Sequence, residues 1–324
     1  MANQNPVRNA VLLNAALFLF VLVVGLSAIE VVLRVRNLAM DNYDIEMWKY
    51  SRELKQRSDN PLLGHQHIPN SKATLQNVEI RINPHGLRGK DTEVERHTDR
   101  RIIFIGSSIT LGWGVAEEDI TTSRLQSFFE KDGQSVEVLN AGIGNYNTAR
   151  QVELFFSQLK KFQPTDIVVQ HFINDAEELD AGGGNIFLRH SQLAVMIWII
   201  GNRILSPGGE DLLLQHYRSV YEKDARGYQA MRDALKKLSV YANKNNIKIH
   251  LALVPEFHNL TDYPFDFIQR QMKKLGQDLG YNTVDLLPAL RNIPRDKIWV
   301  MPGDPHANSY GHSLMAETIY QAIR

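Results

Sequence analysis

The chain has 324 residues, 44% of them hydrophobic and 22% charged, which is the length and composition of a folded protein with one domain of ordinary size plus appendages. Lys plus Arg equal Asp plus Glu at 36 each, so charge gives no case for nucleic acid as a partner. Cysteine is absent, which excludes structural disulfides, thiolate metal sites and a cysteine nucleophile.

After a short tail at 1–9, Val11–Ile29 reads VLLNAALFLFVLVVGLSAI, in which only Asn14 and Ser27 carry polar side chains. A helix needs roughly 20 apolar residues to cross hydrocarbon, so 10–35 is read as an uncleaved transmembrane anchor. A cleaved signal peptide has a shorter apolar stretch and a clearer cleavage site. Arg8 precedes the span, whereas Arg34, Arg36, Lys49 and Arg52 follow it. A positive-inside count taken alone therefore puts the bulk of the chain in the cytoplasm.

From 36 to 100 the chain is polar and weakly periodic, with turn signals at Asn60-Pro61, Pro69-Asn70 and Asn83-Pro84. It reads as a membrane-proximal linker with a small elaboration. His65 and His67 lack a third ligand nearby and read as part of a solvated loop rather than a metal site. The run from Asn83 to Gly89 predicts a tight turn with Gly86 or Gly89 at positive φ.

The domain proper is expected over 101–324. Arg101–Ile105 is a mostly apolar, β-branched run of the kind that forms a buried parallel strand, and Gly106 breaks it. Ser107 and Ser108 follow where a central strand turns into a helix, a place where backbone N–H groups converge. Helices are predicted at Glu117–Asp132, Thr148–Phe162, Asp211–Asn243, Phe265–Leu279 and from Asn308 to Arg324. Strands are predicted at Val136–Leu139, Asp166–Phe172, Lys248–Val254 and Asn282–Leu286. This alternation means an α/β fold with a central parallel sheet and helices on both faces. Two stretches interrupt it. Gly182-Gly183-Gly184 reads as a flexible loop, and Leu193–Ile200 as a buried helix packed on the domain. The alternative is a lid over 182–206 or a helix lying in the membrane surface.

Four short motifs fall at the carboxyl ends of successive segments: Ser108, then Gly144-Asn145, then Asn174-Asp175, then Asp304-Pro305-His306 before the last helix. In a doubly wound sheet these loops open on one edge. A serine hydroxyl needs a base, which His306 can supply, and Asp304 can fix its tautomer and stabilise the imidazolium. The N–H groups of Ser108 and Asn145 and the side-chain amide of Asn174 are candidate donors to a developing oxyanion, with Gly144 as a substitute for Asn145.

The ordered set Gly106-Ser107-Ser108-Ile109-Thr110, Asn140-Ala141-Gly142 with Gly144-Asn145, Asn174-Asp175 and Asp304-Pro305-His306 resembles the conserved blocks of the SGNH (GDSL-type) hydrolases, over about Arg101–Arg324. The resemblance implies a flavodoxin-like three-layer sandwich, a metal-independent mechanism with no cofactor, and ester substrates. It assigns Ser108 as nucleophile, His306 as base and Asp304 as its orienter. The anchor and the Leu111–Gly114 run, Leu-Gly-Trp-Gly, are similar to a membrane-anchored bacterial branch associated with envelope polysaccharide. That likeness implies O-acetyl groups on carbohydrate as substrate and an inner-membrane protein with its catalytic domain outside the cytoplasm, against the charge count. Three positions depart from the family pattern: Ser107 stands where Asp is usual, Asn145 where the oxyanion glycine is expected, and Phe172 where a glycine is common. The same residues also suit an O-acetyltransferase or a lysophospholipase or thioesterase acting on lipid esters. The departures leave room for a non-catalytic envelope scaffold.

Overall fold

The structure is a computed structural model that describes residues 6–179, 186–205 and 209–324. It divides into two compact units, Met1–Ile45 with Gly183–Pro207, and Glu46–Gly182 with Gly208–Arg324. The glycine run at 182–184 lies outside the described residues, as do the two ends of the expected lid segment.

In chain order the elements begin with α1 (Pro6–Arg36), α2 (Tyr43–Glu53), β1 (Lys55–Arg57), β2 (His65–His67), β3 (Lys72–Leu75) and β4 (Val78–Arg81). Then come β5 (Arg100–Gly106), α3 (Ser108–Leu111), α4 (Thr121–Lys131), β6 (Val136–Gly142), α5 (Thr148–Leu154) and β7 (Asp166–His171). The first unit regains the chain with α6 (Ile186–His190) and α7 (Gln192–Leu205). The larger unit resumes with α8 (Glu210–Val220), α9 (Arg226–Lys244), β8 (Lys248–Leu253), α10 (Asp266–Asp278) and β9 (Asn282–Asp285). It closes with α11 (Leu287–Leu290), α12 (Arg295–Ile298), β10 (Trp299–Met301), β11 (Asp304–Ala307) and α13 (Ser309–Ile323).

Five parallel strands form the central sheet in the order β6-β5-β7-β8-β9. This is the flavodoxin-like arrangement, and its switch point lies between β5 and β7, the first and third strands of the sheet in sequence. From β5 the chain steps one way to β6 and then the other way to β7. Right-handed crossovers in opposed directions put α4 on one face and α5, α9 and α10 on the other. α13 packs against α4 and completes that layer. The result is the three-layer sandwich implied by the sequence blocks. The centre of β5 is wholly apolar because both faces of the sheet are covered: Ile102, Ile103, Phe104 and Ile105 are all fully buried.

At the amino ends of the strands, polar groups lock neighbours together. Arg100 holds Asp166 through two hydrogen bonds of 2.8 and 2.6 Å, and His250 approaches the same carboxylate at 2.9 Å. Burial pulls the Asp166 carboxyl up, but the Arg100 and His250 hydrogen bonds outweigh it and hold it below the ordinary range.

Several expectations change. Residues 46–100, read as linker and elaboration, belong to the same compact unit as the sheet, through α2 and two small antiparallel ribbons. His65 and His67 are not in a solvated loop. They lie in β2, and His67 is 2% exposed because Tyr50 and the Gly86 carbonyl take up its two ring nitrogens. Among the described residues no group of three His, Asp or Glu side chains could hold a metal ion. The turn at 83–89 has both Gly86 and Gly89 at positive φ. The helix predicted over Asp211–Asn243 is two helices, broken where the buried Tyr221 donates its hydroxyl to the Ile173 carbonyl. Leu193–Ile200 is not a buried core helix. It belongs to α7, in which Ile197 and Trp198 are more than half exposed.

Candidate active site

β5 ends at Gly106, and only glycine fits there: a Cβ would sit 1.8 Å from the Thr110 hydroxyl. The chain then turns through Ser107 into α3, whose first residue is Ser108. The two serines are not equivalent. Ser107 is 2% exposed, with a buried, unpartnered hydroxyl, whereas Ser108 is half-buried and its Oγ lies 2.8 Å from His306 Nε2. His306 Nδ1 lies 2.6 Å from Asp304 Oδ1. A carboxylate can only accept, so Nδ1 carries the proton and Nε2 presents its lone pair to the serine hydroxyl. Hydroxyl, imidazole and carboxylate stand in one line, with the partners separated by 198 and 2 positions in sequence.

Asp304 is fully buried, and both of its oxygens are occupied. Oδ1 also accepts the His306 backbone N–H at 3.1 Å, and Oδ2 accepts Trp113 Nε1 at 2.9 Å and Gln76 Nε2 at 2.5 Å. Burial raises its pKa, but the hydrogen bonds and charge of His306 and the bond from Gln76 prevail, so the carboxyl stays below its usual range and is ionised at neutral pH. Trp113 is placed by Arg88. This guanidinium is 4% exposed and donates to the carbonyls of Leu111 (2.5 Å), Gly112 (2.6 Å) and Val115 (2.6 Å). Burial lowers the Arg88 pKa to about 10, which leaves the cation intact at neutral pH.

The loop after β6 holds Gly144 and Asn145, and the short helical turn after β7 holds Asn174. Both strands flank β5, with Gly142 and Gln170 each in register with Gly106, so these loops leave the same edge of the sheet as Ser108. A bond of 3.1 Å from the Ile143 N–H to the Gly106 carbonyl ties the second loop to the serine turn. Gly144 cannot serve as the oxyanion donor expected of it, because its N–H already donates to Tyr50 Oη at 2.9 Å. A Cβ there would lie 2.7 Å from the Tyr50 ring. Asn145 follows with φ +65°, in the left-handed region that its short polar side chain tolerates. It is exposed, and its N–H has no partner among the described residues. Asn174 is half-buried, with Oδ1 buried and unpartnered.

Sequence reasoning missed Tyr50, Gln76 and Arg88, and it placed His67 in a solvated loop. Trp113 was visible only as part of a recurring Leu-Gly-Trp-Gly run, with no role attached.

A hydroxyl poised on an imidazole at a sheet's carboxyl edge suits acyl transfer from an ester, and the chain is a serine hydrolase of ester bonds. The GDSL-like Lipase/Acylhydrolase family profile matches residues 104–314, and the chain belongs to that family. No curated protein sequence matches the chain. Among solved structures it is similar to TesA, at 13% identity and TM-score 0.46, covering 69% of this chain and 98% of that one. It is also similar to a catalytic variant of Axe2, an acetylxylan esterase from Geobacillus stearothermophilus, at 16% identity and TM-score 0.48, covering 70% and 94%. A two-domain esterase active on acetylated mannans, CEX, aligns at 17% identity and TM-score 0.44, covering 69% of this chain and 48% of that one.

Proposed function

We propose that this chain is a membrane-anchored serine esterase that removes O-acyl groups, chiefly O-acetyl, from envelope carbohydrate. The observation that carries the reading is the unbroken hydrogen-bonded line from Ser108 through His306 to Asp304. Ser108 Oγ attacks the acyl carbonyl carbon while His306 Nε2 takes its proton. The carbonyl oxygen becomes an anion, for which the N–H groups of Ser108 and Asn145 and the Asn174 amide are the donors. Collapse breaks the ester C–O bond, and the departing alcohol takes the proton from His306. Water then attacks the acyl-serine by the same route and releases the carboxylic acid and free Ser108. Asp304 holds the tautomer throughout and stays ionised.

Anchoring is supported by the helical run Arg8–Ala39, made of α1 and the short turn that follows it, which is long and apolar enough to cross a membrane and has none of its most apolar part buried. The carbohydrate substrate is supported by the resemblance of the anchor and the Leu111–Gly114 run to the envelope branch of the family.

The test uses the full chain in detergent, with acetate release from O-acetylated oligosaccharides and from a chromogenic acetate ester as readouts. Ser108→Ala is expected to lower turnover on the order of a thousandfold or more, and to abolish covalent labelling by a fluorophosphonate. Ser107→Ala retains labelling. Turnover and labelling unchanged in Ser108→Ala would sink the proposal. Acetylated sugar acceptor in place of free acetate would turn the esterase into a transferase working through the same serine.

A further inference from the structure

The smaller unit carries an apolar surface that ester chemistry does not use. Glu30, at the end of the apolar stretch of α1, receives the start of α7. The N–H groups of Gln192 and Leu193 donate to its two oxygens at 3.0 and 2.9 Å, and Ser191 Oγ donates to it at 2.9 Å. The Ala194 N–H donates to Ser191 Oγ at 3.0 Å and the Val195 N–H to the Ser191 carbonyl at 3.2 Å. All four opening N–H groups of α7 are thus satisfied without water, as a helix end at a lipid boundary requires. Asn37 Nδ2 donates to Gln192 Oε1 at 2.8 Å, and Arg203 pairs with Asp44 at 2.6 Å, so polar contacts hold α7 along its length.

The other side of α7 is bare. Ile197, Trp198, Ile200, Ile204 and Leu205 are 49 to 81% exposed, and their spacing puts them on one side of the helix. That surface is continuous in character with α1, where Val31, Val32 and Val35 are 59 to 66% exposed. Fourteen residues make a helix of about 21 Å, short of the roughly 30 Å of hydrocarbon in a bilayer. A helix of this length, apolar on one side, with a tryptophan among its exposed residues and an Arg–Asp pair near its end, has the composition of one that lies in the plane of a membrane surface.

We propose that α7 is an interfacial helix: it lies in the surface of a phospholipid bilayer at the end of α1, with Ile197, Trp198, Ile204 and Leu205 in the acyl boundary. The chain then meets lipid at two places separated by some 160 residues of sequence. This rests on reading α1 as a membrane span, and the test separates the two.

Because the chain has no cysteine, a single one can be introduced for labelling. Full-length Val21→Cys, Ile197→Cys, Ile204→Cys and Lys236→Cys, all at exposed positions, are labelled with bimane. Each is placed in phosphatidylethanolamine–phosphatidylglycerol vesicles containing lipids brominated at different depths. The labels at 197 and 204 are expected to lose emission by a factor comparable to that at 21. Their quenching should be strongest for bromines about 5–10 Å below the headgroup boundary, that at 21 for bromines at the chain ends, and the label at 236 should respond to neither. Quenching at 21 with none at 197 or 204 overturns the interfacial helix and leaves the anchor standing. No quenching at 21 removes the anchor, and the interfacial helix with it. Disulfide cross-linking of unlabelled Ile204→Cys between copies, without lipid quenching, gives the face to a second copy and also overturns the proposal.

Discussion

Asp304 shows how much of a site can rest on one buried side chain. Four hydrogen bonds converge on its two oxygens, and two of the donors, Trp113 Nε1 and Gln76 Nε2, come from parts of the chain 191 and 228 positions away. Trp113→Phe keeps the ring packing and deletes one charge-assisted bond, so kcat should fall by about tenfold with KM little changed. Steady-state kinetics on an acetate ester check this, and an unchanged kcat would show that Gln76 alone suffices. The three residues that the structure brings into one hydrogen-bonded line were legible because their types and order are distinctive: a serine after a buried strand, and acid and imidazole two residues apart near the end. The choice between Ser107 and Ser108 was less so, since both fit a strand-to-helix turn, and the turn alone decides which hydroxyl faces inward. Gln76 gave no signal at all, being an ordinary amide in a polar stretch.

At the level of elements, the Gly144–Asn145 loop is held from beneath by α2 and β2. The Gly144 N–H donates to Tyr50 Oη (2.9 Å), which donates to His67 Nε2 (2.8 Å), and His67 Nδ1–H donates to the Gly86 carbonyl (2.9 Å). Each group in this line has one orientation that satisfies it. Burial pushes the Tyr50 phenol up and lowers the His67 imidazole to about 4, so both are neutral at physiological pH and the direction of the line is fixed. Tyr50→Phe strands the Gly144 N–H and His67 Nε2 in a buried place and should cost about 1–3 kcal/mol of stability. It should also lower kcat, because the Asn145 N–H loses its fixed position. Denaturant unfolding together with kinetics tests both effects, and full activity with unchanged stability would refute the arrangement. None of this could be seen in the sequence, where 36–100 lacks strong periodicity and its partners lie in another part of the chain. The same limit explains α7: eight consecutive apolar residues fit a core helix and a lipid-facing one equally well.

For the whole molecule, strand order decides where chemistry can occur, and this was the most legible level. Buried strands of β-branched residues alternating with helices leave a parallel sheet as the economical arrangement, and its carboxyl edge as the place where the motif loops gather. What the pattern did not reveal is how many imidazoles the fold buries wholly or in part. Burial lowers His65 to about 3, His67 to about 4, His171 to about 3 and His312 to about 3, while burial raises Asp175 to about 7. An unfolded histidine takes a proton near 6.5, so each of the four favours the fold fully above that pH and loses its contribution as pH falls, toward about 4 for His67 and about 3 for the others. Asp175 acts in the opposite sense between about 4 and 7, since its unfolded carboxylate gives up the proton that the folded one keeps. Four imidazoles against one carboxylate leave a net uptake of protons on unfolding at mildly acidic pH. The Tm of the full chain in detergent should therefore fall steadily from pH 7 to pH 5, as thermal scans in a buffer series can measure. A flat profile would mean that these imidazoles are already charged in the fold.

The hairpin of β10 and β11 has a consequence for how this enzyme loses activity. Asp304 and His306 ride on the same short strand, two residues apart, so any rocking of that ribbon carries both as a single cartridge. Thermal breathing of the ribbon should therefore widen the gap to Ser108 before it pulls the imidazole from its carboxylate. The first casualty of mild heat or denaturant should be the contact with the hydroxyl: turnover fades while the tethered acid–base pair survives, ready to recover as soon as the ribbon settles back.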